Sequence, residues 1–159
     1  MSGRLFAIKP KAAINCAASP TVTYPLYYQA PSSNLAAKLR EFSISFDGIS
    51  SSAPKVRVDL ARCSALGTWT TMTQAIEFDP DGPTIRGTFG HTATGAPTIN
   101  ALDADEDDIP FSEYVHLQGG YTWRLGDMGL IIPINGIIAV RVTTGSTAAN
   151  CLPRFVIEE

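Results

Sequence analysis

Apolar and polar residues alternate along most of this chain, in short runs separated by turn-forming residues. Phe42, Ile44 and Phe46 alternate with Ser43, Ser45 and Asp47, and Val56, Val58 and Leu60 alternate with Arg57, Asp59 and Ala61. Successive side chains of a strand point to opposite faces, so a period of two marks a strand with one buried and one wet face. The alternation predicts strands over residues 21–28, 38–47, 56–62, 70–78, 84–92, 130–134, 137–143 and 151–158. It also predicts a hairpin in which residues 114–118 and 121–124 flank Gly119-Gly120. Residues 35–39 have room for one helical turn, but the strand reading is the better one there. Pro25 has no N–H to give a ladder, which predicts an edge position or a bulge. Asp79-Pro80-Asp81-Gly82-Pro83 is a strong turn signal. About eight to ten short strands at even spacing predict an all-β fold, a two-sheet antiparallel β-sandwich that is jelly-roll-like.

The 159 residues suffice for one domain with its own core. Residues 1–20 fall outside the alternating region. They carry Arg4, Lys9 and Lys11, are broken by Pro10 and Pro20, and read as an extended N-terminal arm that orders on a partner. That leaves 21–159 as a single β-sandwich domain. Arg4, Phe6, Lys9 and Lys11 of the arm, with Tyr24, Tyr27 and Tyr28 beyond it, are the candidate contacts to an oligomer or a larger assembly.

Charged residues make up 17% of the chain, below the roughly 25% usual in soluble domains. That suits a surface largely covered by neighbours, and it also suits an extracellular β-protein. A net charge of -3 with scattered basic residues argues against nucleic acid as a partner. Lys9, Pro10 and Lys11 interrupt any apolar signal segment, and no run approaches the ~18 apolar residues of a membrane-spanning helix. A soluble protein that does not use the general secretory route and has no membrane partner is expected. Cys16, Cys63 and Cys151 are odd in number and widely spaced, with no metal knuckle and no disulfide framework. They read as small buried hydrophobes of a protein folded in reducing cytosol, with a Cys16–Cys151 bridge between the two ends as the alternative.

The polar features offer little chemistry. The run Asp103-Ala104-Asp105-Glu106-Asp107-Asp108 lacks the central glycine of a calcium loop, and reads as a solvated, self-repelling segment. Its alternative role is contact with a cation or a basic partner through Asp103, Asp105, Glu106, Asp107 and Asp108. His91 and His116 show no short-range metal spacing and read as structural. No nucleophile elbow and no glycine-rich phosphate loop is present, while a pair of carboxylates for glycoside hydrolysis stays open. Tyr24, Tyr27, Tyr28, Trp69, Tyr121 and Trp123 read as core or interface fillers, with a sugar-stacking platform as the alternative. The expectation is a protein that is not an enzyme and holds neither a cofactor nor a metal.

Four short elements resemble those of small tailed-bacteriophage proteins. They are Phe42-Ser43-Ile44-Ser45-Phe46-Asp47-Gly48 followed by a Ser/Ala loop and Val56-Arg57-Val58-Asp59-Leu60; His91-Thr92-Ala93-Thr94 with Pro97-Thr98; Val115-His116-Leu117-Gln118-Gly119-Gly120; and Ala139-Val140-Arg141-Val142 with Asn150-Cys151 and Glu158-Glu159. Over residues 21–159 the chain resembles the phage head decoration, or cement, proteins and related virion structural proteins. The resemblance implies a structural protein on the capsid exterior, made in the bacterial host cytoplasm. Its partners would be the major capsid protein and copies of itself, as a homotrimer. The acidic run and the basic arm depart from the family's pattern. A tail, neck or fibre-associated jelly-roll module and a carbohydrate-binding β-sandwich are the alternatives.

Overall fold

The computed structural model describes residues 3–18, 21–32, 36–48, 52–73, 75–78, 84–103, 109 and 111–159. Their strands form two sheets. The first contains β1 (Leu5–Ile8), β2 (Ile14–Cys16), β4 (Ala37–Phe46), β7 (Ile76–Glu77), β11 (Gly120–Arg124), β12 (Leu130–Ile132) and β14 (Ala149–Glu158). The second contains β3 (Thr21–Gln29), β5 (Val56–Ala65), β6 (Thr68–Thr71), β8 (Thr88–Gly95), β9 (Thr98–Ile99), β10 (Phe111–Val115) and β13 (Ile137–Thr144). The first sheet runs β11-β4-β14-β1-β7, with β12 also on β4 and β2 also on β14; the second runs β10-β5-β13-β3-β8-β6, with β9 on β5. Every pairing in these ladders is antiparallel. The chain is thus an all-β sandwich, as the alternation predicts.

The pairings nest: β3 with β13, β4 with β11 and β12, β5 with β10, and β6 with β8. Such nesting is the logic of a jelly roll. The arrangement departs from two four-stranded sheets because β8 docks on β3 and because β14 and β1 extend the first sheet beyond β4.

The apolar member of each alternating pair faces the space between the sheets. Leu39, Phe42, Ile44, Phe155 and Ile157 of the first sheet meet Leu26, Tyr28, Val58, Leu60, Ile138 and Val140 of the second, all at most 2% exposed. Each such large side chain contributes roughly 1.5–3 kcal/mol by leaving water. Phe42 lies edge-on to Phe111 with ring centroids 5.5 Å apart, and Trp123 stacks on Phe111 at 4.6 Å. Among the register shifts, two bulges in the long central ladders keep the pattern in phase. One falls at Tyr24-Pro25, where Val140 pairs with Leu26 but Val142 pairs with Thr23, and it accommodates the proline. The other falls at Arg40-Glu41 and moves the buried set from Leu39 to Phe42.

Three expectations are corrected. Residues 1–20 are not a free extended arm over their described part: β1 pairs with β14 from Leu5↔Glu158 to Ile8↔Phe155, and β2 pairs Ile14 with Cys151 and Cys16 with Ala149. Phe6, Ile8, Ile14 and Cys16 are buried, and that burial is what fastens the segment. The hairpin about Gly119-Gly120 does not form, because β10 pairs with β5 in one sheet and β11 with β4 in the other. The strand expected over residues 70–78 is two strands, β6 and β7, in different sheets.

Two carboxylates are fully buried outside the inter-sheet core. Asp59, on the outer face of the second sheet, accepts from Arg57 Nε at 2.9 Å, Ser112 Oγ at 2.6 Å and Arg141 Nε at 2.8 Å. The guanidinium-bearing side chains above it are themselves only 12% and 18% exposed. Removing one partner of a buried ion pair leaves the rest uncompensated. Asp59→Ala is therefore expected to lower the unfolding free energy by about 3 kcal/mol, read from the urea midpoint. A loss no larger than that of an exposed Asp→Ala change would refute the anchoring role.

Candidate functional site

One corner of the sandwich gathers the chemistry-bearing turns. Asp47 leaves the end of β4 and points back at β14. Its carboxylate accepts the Asn150 backbone N–H and the Asn150 Nδ2 amide, both at 2.8 Å, and the Asp47 N–H donates to the Asn150 carbonyl at 3.2 Å. Asn15 Nδ2 of β2 donates to Asn150 Oδ1 at 3.2 Å. The hydrogen bonds from Asn150 hold the Asp47 carboxyl below the usual carboxylate range.

The neighbouring glycine is dictated by space. The Gly48 N–H donates to the Leu117 carbonyl at 2.7 Å, and a Cβ on Gly48 would lie 2.6 Å from that oxygen. The Phe46 N–H donates to the Gly119 carbonyl at 3.0 Å, and a Cβ on Gly120 would lie 2.7 Å from the Ile44 carbonyl oxygen. Three of the four motif elements therefore meet here: Phe46-Asp47-Gly48, His116 to Gly120, and Asn150-Cys151. The fourth, His91 to Thr94, lies in β8 of the other sheet. Asn15, Asp47, Gly48, Leu117, Ala149 and Asn150 line a cleft of about 260 Å³ at this corner. Its polar groups bond mainly to one another, so what the cleft offers chemically is hydrogen bonding, with no nucleophile beside a base.

The second feature is the outer face of the first sheet. Registers place Phe78, Leu5, Glu158, Lys38 and Ile131 in one row across it, and Ile76, Ala7, Val156, Glu41 and Arg124 in the next. The β7–β1 side of this face is apolar. Leu5, Ile76 and Phe78 are 40%, 53% and 56% exposed there, over buried Ala7 and Val156. The rest is mixed, with ion pairs, Ser43, Ser45 and Thr122, and an exposed Ile131 on β12. Arg124 pairs with Glu41 at 3.3 Å, Arg154 approaches Glu41 at 3.8 Å, and Arg40 pairs with Glu158. A groove of about 330 Å³ crosses the face between Lys9, Ser45, Thr122 and Arg154.

The expected contact residues do not share one surface. Arg4 exchanges two backbone hydrogen bonds with Glu159, and Lys9 and Lys11 are exposed. Phe6 is buried, which removes it as a contact. Tyr28 is a core residue whose O–H donates to Glu159 Oε1 at 2.6 Å. Tyr27 is buried on the opposite outer face, where it and half-buried Tyr24 pack on Trp69 at centroid distances of 4.6 and 6.3 Å. Tyr121 and Trp123 pack on Phe111, so the six aromatics form separate packed groups and not an open row.

Asp103 is an anchor and not a free ligand: it is fully buried, and it accepts the Arg62 backbone N–H at 2.7 Å and the Arg62 Nε at 2.9 Å. Asp105, Glu106, Asp107 and Asp108 lie outside the described residues. His91 sits on β8, and His116 lies just past β10, four strand spacings away or roughly 19 Å. Among the described residues, no three His, Cys, Asp or Glu side chains are grouped to hold a metal ion.

Alternation joins Ile76 and Phe78 to the same strand as Thr70, so the sequence carries no separate signal for the exposed apolar edge. The Asp47–Asn150 pairing had only a weak signal, a turn-forming Asp-Gly at one end and an asparagine before a strand at the other. In comparisons with protein-family models, curated proteins and solved structures, the chain matches none of them at a significant level.

Two outcomes are expected at the corner. Gly48→Ala forces a shift of the Leu117 backbone, and a cost of about 1–3 kcal/mol should appear in thermal or urea unfolding. Asp47 has a depressed native pKa, so its stabilising contribution is present above its unfolded value of about 4 and is lost as pH falls through the native value. Asp47→Ala should accordingly be less stable than wild type at pH 7, and the difference should shrink on acidification to pH 2. A difference that stays constant with pH would exclude the ionised carboxylate as its source.

Proposed function

We propose that this chain is a non-enzymatic structural protein of a tailed-phage virion, which binds the assembled capsid from outside and stabilises it as a homotrimer. The resemblance of the four short elements supports the family. The observation that carries the reading to a surface is the outer face of the first sheet, where exposed Leu5, Ile76 and Phe78 adjoin a charged strip. An apolar patch rimmed by polar groups is the usual anatomy of a protein contact. The contact role expected of residues 1–20 falls to this face, since Leu5 and Lys9 belong to it through β1 and the turn after it.

The physics of such a protein is mass action. A subunit that binds the lattice across neighbouring capsomers, and not the free capsid protein, shifts the equilibrium towards the assembled shell. Cyclic symmetry then repeats each contact once per copy. No bond is made or broken, so the requirement is a rigid face, and a sandwich closed by long ladders meets it.

Sedimentation with separated phage heads and tails tests this. Saturable, stoichiometric pelleting with heads is expected, and the Ile76→Asp/Phe78→Asp double variant should weaken it at least about tenfold while keeping the wild-type Tm; both changes sit at exposed positions, where substitutions cost little. Pelleting with tails alone would move the protein to a tail or fibre role. Binding to neither, with retention on a glycan array, would replace the reading with a sugar-binding one.

A further inference from the structure

Two of the three cysteines face each other inside the sandwich. Cys16 of β2 and Cys151 of β14 are both fully buried, and their Sγ atoms are 3.5 Å apart in a thiol–thiol hydrogen bond. Cys16 pairs in register with Ala149, and Cys151 with Ile14, so the two thiols are diagonal neighbours on the inward face of adjacent antiparallel strands. We propose that Cys16 and Cys151 are a redox-responsive pair whose oxidation to a disulfide bolts β2 onto β14.

A disulfide needs the sulfurs about 2.05 Å apart, so the pair must close by roughly 1.5 Å. The partner with fewer ladder contacts is β2. It has three residues, its only ladder among the described residues is with β14, and exposed Lys11, Ala12, Ala13, Ala17 and Ala18 flank it. β14, by contrast, is held along its length by β4. Short edge strands with few paired residues open at lower cost than the core, and such opening admits a reagent to thiols that are otherwise buried.

The oxidant required is a low-molecular-weight disulfide such as oxidised glutathione. The Cys16 thiolate attacks one reagent sulfur, the reagent S–S bond breaks, and one reagent thiolate leaves. Cys151 then gives its proton to solvent and attacks Cys16 Sγ, expelling the second reagent thiolate. Two protein S–H bonds and one reagent S–S bond become one protein S–S bond and two reagent S–H groups, so the two electrons lost by the protein reduce the reagent. The order follows from the pair's own hydrogen bond, which lowers the pKa of Cys16 and raises that of Cys151. Cys63 is a bystander. It lies on the outer face of the second sheet beside Tyr27 and Ala139, and burial pushes its thiol up to about 12.

The bond does not require the capsid reading, and its test uses the isolated protein. Incubation of the full chain in a glutathione redox series should remove 2 Da, lower the titratable thiols of the denatured protein from three to one, and yield a linked peptide joining Cys16 to Cys151. The oxidised form should melt roughly 5–10 °C higher, since the link closes a very long loop in the unfolded chain. Cys63→Ser should leave the 2 Da loss intact, and Cys151→Ser should remove it. A chain that keeps three thiols across the series, stops at a glutathione adduct, or links Cys63 instead overturns the proposal. Because the mass and the peptide map are read on wild-type protein, a variant that fails to fold does not rescue it.

Discussion

The structure depends on a single strand being in place. β14 is the interior spine of the first sheet. It pairs with β4 from Cys151 to Glu158 on one side, and with β2 and then β1 on the other. Pro153 falls where β2 has ended and β1 has not yet begun, the position at which a missing N–H costs the ladder least. Just beyond the strand, the Glu159 carboxylate accepts the Tyr28 O–H at 2.6 Å and the Arg86 and Gly87 backbone N–H groups at 2.7 and 2.8 Å. One residue thus ties the spine to the other sheet and to the segment leading into β8. Pairings of this span are slow to close, because loop entropy is lost before the contact is made.

Around the spine, polar groups settle the places that apolar burial leaves undetermined. Asp103 pins the turn after β9 to the Arg62 backbone and side chain, and Asp59 holds Arg57 and Arg141 flat on the outer face of the second sheet. At the opposite corner Asp47 fastens β4 to Asn150, and Gly48 lets the Leu117 carbonyl approach. Among the described residues every buried side-chain nitrogen and oxygen has a partner. Three of the four short motifs that carry the resemblance are therefore explained by folding: a glycine where a Cβ would strike backbone, and a carboxylate where a strand start needs an acceptor. Such motifs report on the scaffold, and a function must be sought on the surfaces that the scaffold leaves open.

The outer faces of the two sheets differ in that respect. The second is covered by its own groups over one part, with Tyr27, Ala139 and Cys63 buried beneath Tyr24, Leu66, Trp69 and Ile99, and exposes Tyr114 and Val22 singly on either side of Arg57 and Thr143. The first leaves Leu5, Ile76 and Phe78 in water beside ion pairs made across its strands. It is also where the thiol pair sits one layer beneath, on β2 and β14. Anything that tightens β2 against the spine stiffens the sheet that presents this face.

Alternation along the chain by itself determined the class of fold, the location of most long strands and nearly all of the inward-facing set, because the period of two is a local property of each strand. Pro25 announced its bulge for the same reason. What alternation does not carry is which strand lies beside which. Alternation puts residues 114–118 and 121–124 in one hairpin, makes 70–78 one strand and sets residues 1–20 apart, and only the tertiary structure decides otherwise. In each case the deciding term was burial supplied by a distant partner: Phe6 and Ile8 are covered because β14 reaches them from about 150 residues away, and β7 exists because β1 offers it an edge. The exposed apolar edge and the facing cysteines follow from the same fact, since both are made of residues that only long-range pairing brings side by side.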